Sequence, residues 1–300
     1  MKFALRKIGV VLVAVCGAGL AQTPKMTTVP LQFCQGLPCV EAELGNGQQV
    51  RLLLDTGNQA TIVDTGVATR LGLKTTPLLG RNGKPVAGYE RSTLPNLRLG
   101  GLALGDLHIA VSDLASYMKK NEMPKADGTL AYTAFQDRLV EIDYAHQQLR
   151  VSAPLTSEVA CAGNCGQLQL ITFGQYGPPI VVGSGFSVNG QPIRAQIDTL
   201  YSGSMLIYPT AVAKLHLEKE AQGGSKQFFP YTDGGVTMLR ARAASEGFGG
   251  RSLARNAPLY FATPGVHVPD GMFEGTVGAA LLAHRVLRLD FHDHWVAIAG

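Results

Sequence analysis

The sequence predicts a mainly β protein that consists of two copies of one folding unit. Residues 46–56 match residues 189–199 at a constant offset of 143, with six identical positions. A second pair of blocks, residues 128–144 and 275–291, contains matching segments at an offset of 147. Two matches in the same order and nearly the same register indicate an internal duplication. Apolar runs beside turn residues indicate that each copy is built mainly of short strands.

Length and composition agree with two compact units. The chain has 300 residues, of which 46% are hydrophobic and 16% are charged. A chain of this kind can bury one large core or two smaller ones, and its low charge argues against extended disorder.

The predicted strands of the first repeated block end at an aspartate in both copies. Each block opens with an Asn-Gly dipeptide, which is typical of hairpin turns. The largely apolar segments 50–54 and 193–197 are therefore predicted strands, and they place Asp55 and Asp198 where a strand becomes a loop.

Short helices and further strands complete each copy. Residues 67–71 and 210–215 are predicted helices, the second with Pro209 at its start. Residues 96–111 and 259–268 are predicted to form short strands and turns.

The first 21 residues have the pattern of a cleavable secretory signal. Lys2, Arg6 and Lys7 precede an apolar run over residues 8–20, and small residues follow up to a predicted cleavage site after Ala21. A retained anchor is the alternative, but an apolar run of about 13 residues is short for a membrane span. We therefore expect an exported protein, periplasmic or extracellular, with no stable membrane span after cleavage.

The charge of the chain gives no indication of nucleic-acid binding. The three basic residues of the signal segment belong to a total of 26, against 22 acidic residues, so the mature chain is nearly neutral. A nucleic-acid partner is not expected, because such proteins carry a marked basic excess.

Four cysteines remain in the mature chain, in two local pairs: Cys34 with Cys39, and Cys161 with Cys165. An even number in an exported chain predicts two local disulfides, although four cysteines allow three connectivities. Metal binding is the competing interpretation. Neither spacing is that of a zinc ribbon and no histidine is close in sequence, so no metal is predicted.

The apolar strand that ends in Asp55-Thr56-Gly57 resembles the catalytic loop of pepsin-like and retropepsin-like aspartic proteases. Asp198-Thr199 repeats the motif, and the Gly-Thr segments at 128–129 and 275–276 resemble the family's interior loop. A second Asp-Thr-Gly, residues 64–66, lacks the preceding apolar strand. The resemblance covers nearly the whole mature chain.

The resemblance implies two homologous, six-stranded-barrel-like lobes of the acid-protease fold with a central cleft. The corresponding boundaries are an N-terminal lobe over residues 22–153, a linker over 154–166 and a C-terminal lobe over 167–300. Apolar periodicity is interrupted near this linker, which agrees with a boundary there.

The resemblance also implies a role for each residue of the two loops. Asp55 and Asp198 are the catalytic pair, which share one proton and activate a water molecule. Thr56 and Thr199 brace the opposite loop through their hydroxyl groups. The remaining support is a backbone N–H donor, Gly57, and a hydroxyl donor, Ser202.

Two positions depart from the family pattern. Leu200 stands where the second motif glycine is expected, which predicts a reshaped loop or looser contact between the lobes. Gln59 stands where the first hydroxyl is expected, with Thr61 as a possible substitute. Both departures bear on activity.

Residues 86–90 lie where the family carries a flap over its cleft. Gly88 and Tyr89 are the candidate flap residues, and Tyr89 would touch substrate. An ordinary hairpin with an exposed tyrosine is the alternative.

Three other polar features are interpreted as turns. His292-Asp293-His294 resembles a metal pair but aligns with residues 145–147 of the other copy, between two predicted strands. Asp143 and Asp290 follow apolar runs without a Thr-Gly context, and we expect them to begin equivalent turns.

Two functions follow from the sequence. The first is an aspartic endopeptidase that hydrolyses peptide or protein substrates as a monomer, with no metal or organic cofactor. The second is a catalytically inactive relative that binds a peptide or another extended ligand in the cell envelope.

Overall fold

The structure is a computed structural model, and it describes residues 26–152, 164–172, 179–229, 236–263 and 271–300. The signal segment and most of the linker, including Cys161, lie outside these residues. The mainly β fold predicted from the sequence is confirmed, since strands account for most of the regular structure.

Residues 26–152 form a succession of strands. They are β1 (Met26–Pro30), β2 (Gln32–Cys34), β3 (Leu37–Glu43), β4 (Gln49–Asp55), β5 (Ile62–Asp64), β6 (Thr76–Leu79), β7 (Pro85–Leu99), β8 (Leu102–Ser112), β9 (Gly128–Ala131), β10 (Leu139–Asp143) and β11 (Gln148–Ser152).

The described residues after 163 repeat this succession. Their strands are β12 (Cys165–Ile171), β13 (Ile180–Val188), β14 (Gln191–Ile197), β15 (Met205–Ile207), β16 (Ser225–Phe229), β17 (Val236–Phe248), β18 (Arg251–Phe261), β19 (Gly275–Val277), β20 (Val286–Asp290) and β21 (Trp295–Ala299).

The helices are short and lie at loops between strands. They are α1 (Thr65–Arg70), α2 (Leu114–Lys120), α3 (Pro209–Lys214), α4 (Glu218–Gln222) and α5 (Ala279–Leu282), with one 3-10 turn at Tyr132–Phe135. The two predicted helices correspond to α1 and α3, with ends that differ by one or two residues. Pro209 begins α3 because its fixed φ and missing N–H suit a first helical position.

Each half of the chain contains a ring of six strands. In the first half the order is β3-β4-β9-β5-β8-β7, and a pairing of β7 with β3 closes the ring. In the second half the order β13-β14-β19-β15-β18-β17 is closed by a pairing of β17 with β13. We call these rings the first and second barrel. The strands that lead to Asp55 and Asp198, β4 and β14, hold equivalent places in them.

A further six strands, in the order β1-β11-β10-β20-β21-β12, join the two halves. At its centre β10 pairs antiparallel with β20, so that Leu139 lies opposite Asp290. The order is the same when read from either end, because β1, β10 and β11 correspond to β12, β20 and β21. The two halves are therefore related by an approximate twofold through the β10–β20 pair.

The alternation of side chains along β4 explains how its three consecutive leucines are all buried. Leu52 and Leu54 pack inside the main core cluster, whereas Leu53 packs in a separate small cluster with Cys39, Leu114 and Met118. All three leucines are fully buried. Burial of one leucine side chain contributes about 1.5–3 kcal/mol, so both faces of β4 hold the strand that carries Asp55.

Cys34 and Cys39 form a disulfide between β2 and β3, with 6.0 Å between the Cα atoms. Cys165 is also disulfide-bonded, while Cys161, its predicted partner, lies outside the described residues. Within the ranges that the structure describes, no helix has the length and apolar character needed to cross a membrane.

Candidate functional site

Asp55 is the last residue of β4 and is held against the neighbouring strand β9. The two strands pair in parallel, with Asp55 opposite Ala131. The Oδ1 atom of Asp55 accepts hydrogen bonds from the backbone N–H groups of Gly57, at 3.1 Å, and Asn58, at 2.9 Å. Its carboxyl group is therefore fixed by the turn that follows it.

Asp198 follows β14 in the equivalent position. Its backbone N–H donates to the carbonyl oxygen of Val277 in β19 at 3.0 Å. Its Oδ1 atom accepts from the backbone N–H groups of Leu200, at 2.9 Å, and Tyr201, at 3.0 Å. The two aspartates thus have the same pair of backbone donors, two and three residues further on.

The threonines of the two motifs tie the loops together. The Oγ1 atom of Thr56 donates to the carbonyl oxygen of Ile197 at 2.8 Å and accepts from the backbone N–H of Thr199 at 3.2 Å. Thr199 does the converse, donating to the Leu54 carbonyl oxygen at 2.5 Å and accepting from the Thr56 N–H at 3.1 Å. The cross-loop hydrogen bonds implied by the family resemblance are therefore present in both directions.

Only glycine fits at position 57, because the side chain of Asp198 lies against it. A Cβ atom on Gly57 would lie 2.3 Å from the Cγ atom of Asp198, which is far closer than side-chain carbons approach each other. The carbonyl oxygen of Gly57 also accepts from Nε2 of Gln196 at 2.9 Å, which adds another contact between the loops. Any larger residue at position 57 would push the two loops apart.

Of the two consequences expected of Leu200, a reshaped loop or looser contact between the lobes, the structure shows no reshaped loop. The residue has no positive φ angle, so its backbone lies in a conformation open to any amino acid. Its N–H donates to Asp198 as the N–H of Gly57 does to Asp55. A leucine is tolerated here because its side chain packs against the small apolar cluster around Leu53.

Burial raises the pKa of both aspartates. For Asp55, burial and then the neighbouring charge of Asp198 raise the pKa to about 8, against the lowering effect of the Asn58 and Gly57 hydrogen bonds. Burial also raises the pKa of Asp198, while hydrogen bonds from Leu200 and Tyr201 oppose it. Two neighbouring carboxyl groups in this setting retain a proton at a pH where an ordinary aspartate has lost it.

Both aspartates line a cavity of about 830 Å³. Gly88 and Tyr89, the candidate flap residues, line the same cavity from β7, and the Tyr89 side chain is 39% exposed. The other walls are largely apolar, with Leu37, Ile62, Leu114, Tyr117, Met118, Met123, Pro124, Leu200, Phe229, Val236 and Met238.

The two hydroxyl groups expected to support the aspartates, those of Ser202 and Thr61, have other surroundings in the structure. Ser202 is exposed in the cavity wall, and among the hydrogen bonds of the described residues its hydroxyl makes none to Asp198. Thr61 is fully buried and accepts the backbone N–H of Ala131 at 3.0 Å. Thr61 therefore braces β9.

Asn58 is the supporting residue that the sequence did not reveal. Its side chain hydrogen-bonds to Asp55 and lowers the pKa of that group. Its amide oxygen faces the backbone N–H of Ala60 at 3.5 Å, which leaves the NH₂ group for the carboxylate. At the offset of 143 the equivalent residue is Tyr201, which is chemically different, so the internal repeat gave no signal for Asn58.

The second Asp-Thr-Gly, at residues 64–66, is a helix cap. The Oδ1 atom of Asp64 accepts from the backbone N–H groups of Gly66 and Val67 at the start of α1, and its Oδ2 atom accepts from Ala115 at 2.8 Å. Aspartate is favoured at this position because it satisfies free N–H groups of the first helical turn.

The other polar features form turns, as predicted. Asp143 accepts the backbone N–H of His146, and Asp290 accepts those of His292 and Asp293. Among the described side chains, no group of three or more His, Cys, Asp or Glu is arranged to hold a metal ion.

Comparison with known proteins shows similarity over part of the sequence. Residues 40–134 match the family model described as "Aspartyl protease". The crystal structure of basic 7S globulin from soybean matches with a TM-score of 0.47 and 12% sequence identity, over 92% of this chain and 95% of that chain. No curated protein matches the sequence. The residues that match this family contain the first motif loop, Asp55-Thr56-Gly57.

Proposed function

We propose that the protein is an aspartic endopeptidase in which Asp55 and Asp198 act as a catalytic pair. The observation that carries the proposal is the equivalence of the two carboxyl groups, each held by two backbone N–H donors on loops tied by Thr56 and Thr199. Helix caps such as Asp64 have similar local hydrogen bonds but no partner aspartate across a cavity.

The raised pKa values support a general acid–base mechanism. One carboxylate removes a proton from a water molecule placed between the two groups, and the water oxygen attacks the carbonyl carbon of the peptide bond. The protonated carboxyl donates its proton to the carbonyl oxygen, which gives a neutral tetrahedral intermediate. The carboxyl group that took the water proton then donates it to the amide nitrogen, while the other carboxylate removes a proton from a hydroxyl group of the intermediate. The C–N bond breaks, and the pair again shares one proton.

The walls of the cavity support an extended peptide as substrate. Tyr89 and the β6–β7 hairpin lie on one side, and apolar residues from both barrels form much of the remaining surface. We place the lobes at residues 22–153 and 167–300, with residues 154–166 as the linker. The amino-terminal signal pattern and the Cys34–Cys39 disulfide support a function outside the cytoplasm. We propose that the protein acts there as a monomer.

A second candidate function is peptide binding without cleavage. Leu200 favours it, because a branched side chain replaces the motif glycine beside one of the two aspartates. The choice between the two candidates depends on whether the pair hydrolyses peptide bonds.

The deciding experiment is digestion of a peptide library by the mature protein from acidic to neutral pH. We expect cleavage by the wild type and its loss in both Asp55→Asn and Asp198→Asn, by a factor of about 10³ or more. Asp64→Asn is the matched control, since it changes the same residue type in the second Asp-Thr-Gly, and it should retain cleavage.

Cleavage products identified by mass spectrometry, with their dependence on each variant, are the measurement. Peptide binding by the wild type without cleavage at any pH would instead establish the second candidate. Equal cleavage by the wild type and both Asp→Asn variants would contradict the catalytic pair.

A further inference from the structure

Leu200 makes an apolar contact across the cavity between the two barrels. It belongs to the loop after β14 of the second barrel, yet its side chain packs against a cluster of the first barrel. The buried members of that cluster are Cys39, Leu53, Leu114 and Met118. Leu53 precedes Asp55 by two residues, so this contact lies beside the first aspartate.

The same cluster forms part of the cavity surface. Leu114 and Met118, from α2, line the cavity together with Ile62 and Met123. Leu200 is partly buried against them and lines the cavity as well. Its side chain therefore covers apolar surface that a glycine at position 200 would leave open to a ligand.

The two loops differ in what they present to the opposite barrel. Gly57 brings only backbone toward Asp198, with no room for a Cβ atom. Leu200 brings a branched side chain of four carbons into space on the side of the first barrel. For this reason the cavity is narrower on the first-barrel side of the aspartates than it would be with a glycine in both loops.

We propose that Leu200 determines the specificity of the cavity by occupying part of the apolar pocket formed by Ile62, Leu114, Met118 and Met123. The inference rests on the proposed peptide-binding cavity, with or without cleavage. A peptide side chain that faces this pocket, on one side of the reactive bond, must be short and apolar, such as alanine or valine. The larger side chain of a phenylalanine at the same position would clash with the side chain of Leu200.

The test is a series of peptides with Ala, Val, Leu or Phe at either residue flanking the reactive bond. The wild type should favour Ala over Phe at one of these two positions, and Leu200→Gly should change that ratio by about tenfold or more toward Phe. Leu200→Ala should fall between them, and Leu200→Met, which keeps the side-chain volume, should resemble the wild type.

The ratio is measured both as kcat/KM and, on Asp55→Asn backgrounds, as a dissociation constant by fluorescence polarisation. Leu170→Gly is the matched control, because Leu170 is 40% exposed on β12 and does not line the cavity. It should leave the ratio unchanged.

Two outcomes would overturn the inference: a ratio that Leu200→Gly leaves within about twofold of the wild type while the variant remains folded, or the absence of binding to every peptide. A changed binding ratio without hydrolysis by either protein would support the role of Leu200 and refute the endopeptidase. Cleavage that depends on both aspartates, with a ratio that Leu200→Gly leaves unchanged, would support the endopeptidase and refute the role of Leu200.

Discussion

The two aspartates have matching backbone donors but differ in their side-chain support. Asp55 receives a hydrogen bond from the Asn58 side chain. The equivalent residue in the second copy, Tyr201, supplies its backbone N–H to Asp198, while its ring packs edge-on against Tyr260. The ionised form of Asp55 is therefore stabilised by one more donor than the ionised form of Asp198, which makes the pair asymmetric.

Asn58→Ala tests this asymmetry. A hydrogen bond to a carboxylate favours its ionised form, so loss of the Asn58 amide should raise the pKa of Asp55 above its value of about 8. The alkaline limb of the activity profile should move to higher pH. The ¹³C chemical shift of the Asp55 carboxyl carbon, followed through a pH titration, measures the same change without reference to cleavage.

Asn58→Ser is the conservative comparison, because a hydroxyl group can restore the donor. Its titration should lie closer to the wild type than that of Asn58→Ala. A midpoint that stays unchanged or moves to lower pH in Asn58→Ala would contradict the proposed contact.

The residue scale also shows where prediction from the sequence ends. The repeat indicates Asp55 and Asp198 because identical residues at a constant offset are visible in the chain itself. Asn58 has no such signal, since its partner Tyr201 is chemically different. Leu200 was expected either to reshape its loop or to loosen the contact between the lobes, and only the three-dimensional contact with the first barrel explains how its side chain is accommodated.

At the scale of elements, the loops after β4 and β14 act as one unit. Each threonine hydroxyl satisfies a carbonyl oxygen and an N–H of the opposite loop, and both threonines are buried at 3% and 0% exposure. Removal of either hydroxyl leaves two buried backbone groups without these partners. Unsatisfied buried groups of this kind cost about 1–3 kcal/mol each.

Thr56→Val and Thr199→Val should therefore each lower the free energy of unfolding by about 2–6 kcal/mol, since valine keeps the shape of threonine without its hydroxyl. Urea denaturation of the mature protein measures the change. Thr65→Val is the matched control, because Thr65 occupies the same place in the second Asp-Thr-Gly but is exposed, and it should have little effect.

Equal stability of Thr65→Val and the two loop variants would show that the cross-loop hydrogen bonds contribute nothing measurable. The double variant should lose less than the sum of the two single changes, because the four hydrogen bonds share the same pair of loops.

The secondary structure of these elements was largely predictable, for a physical reason. Strand β4 and helix α3 follow from local signals, an apolar run beside a turn and a proline at a helix start. The closure of each barrel and the β10–β20 pairing depend on contacts between residues distant in sequence. Local patterns carry no information about such pairings, and only the family resemblance implied the barrels.

At the scale of the whole molecule, burial of carboxyl groups couples folding to pH. Burial raises the pKa of Asp55 to about 8 and that of Glu246 to about 7, and also raises that of Asp198. Glu246 lies fully buried in β17, where it accepts a hydrogen bond from Ser204. Each of these groups holds a proton in the folded chain at a pH where the unfolded chain has released it.

The free energy of unfolding should therefore fall as pH rises from about 4 to 8. In this window the folded state binds more protons than the unfolded state, and stability decreases with pH wherever that is so. The stabilisation is complete below the ordinary pKa of a carboxyl group and is lost as pH passes through the raised values. The pKa values of Asp143 and Glu274 are lowered by their hydrogen-bond and charge partners. These two groups therefore make the free energy of unfolding rise with pH, but only at more acidic pH.

Chemical denaturation at a series of pH values, with Asp55→Asn and Glu246→Gln beside the wild type, checks this dependence. Glu246→Gln should remove the part of the decline that ends near pH 7, whereas Asp55→Asn should remove the part that continues to about pH 8. Asp55→Asn should thereby be more stable than the wild type at pH 8 while it abolishes cleavage, because the uncharged amide carries no cost of ionisation in the buried site. A wild-type stability that rises through this window would mean that the aspartates ionise freely, and the shared proton on which the proposed hydrolysis depends would be lost with it.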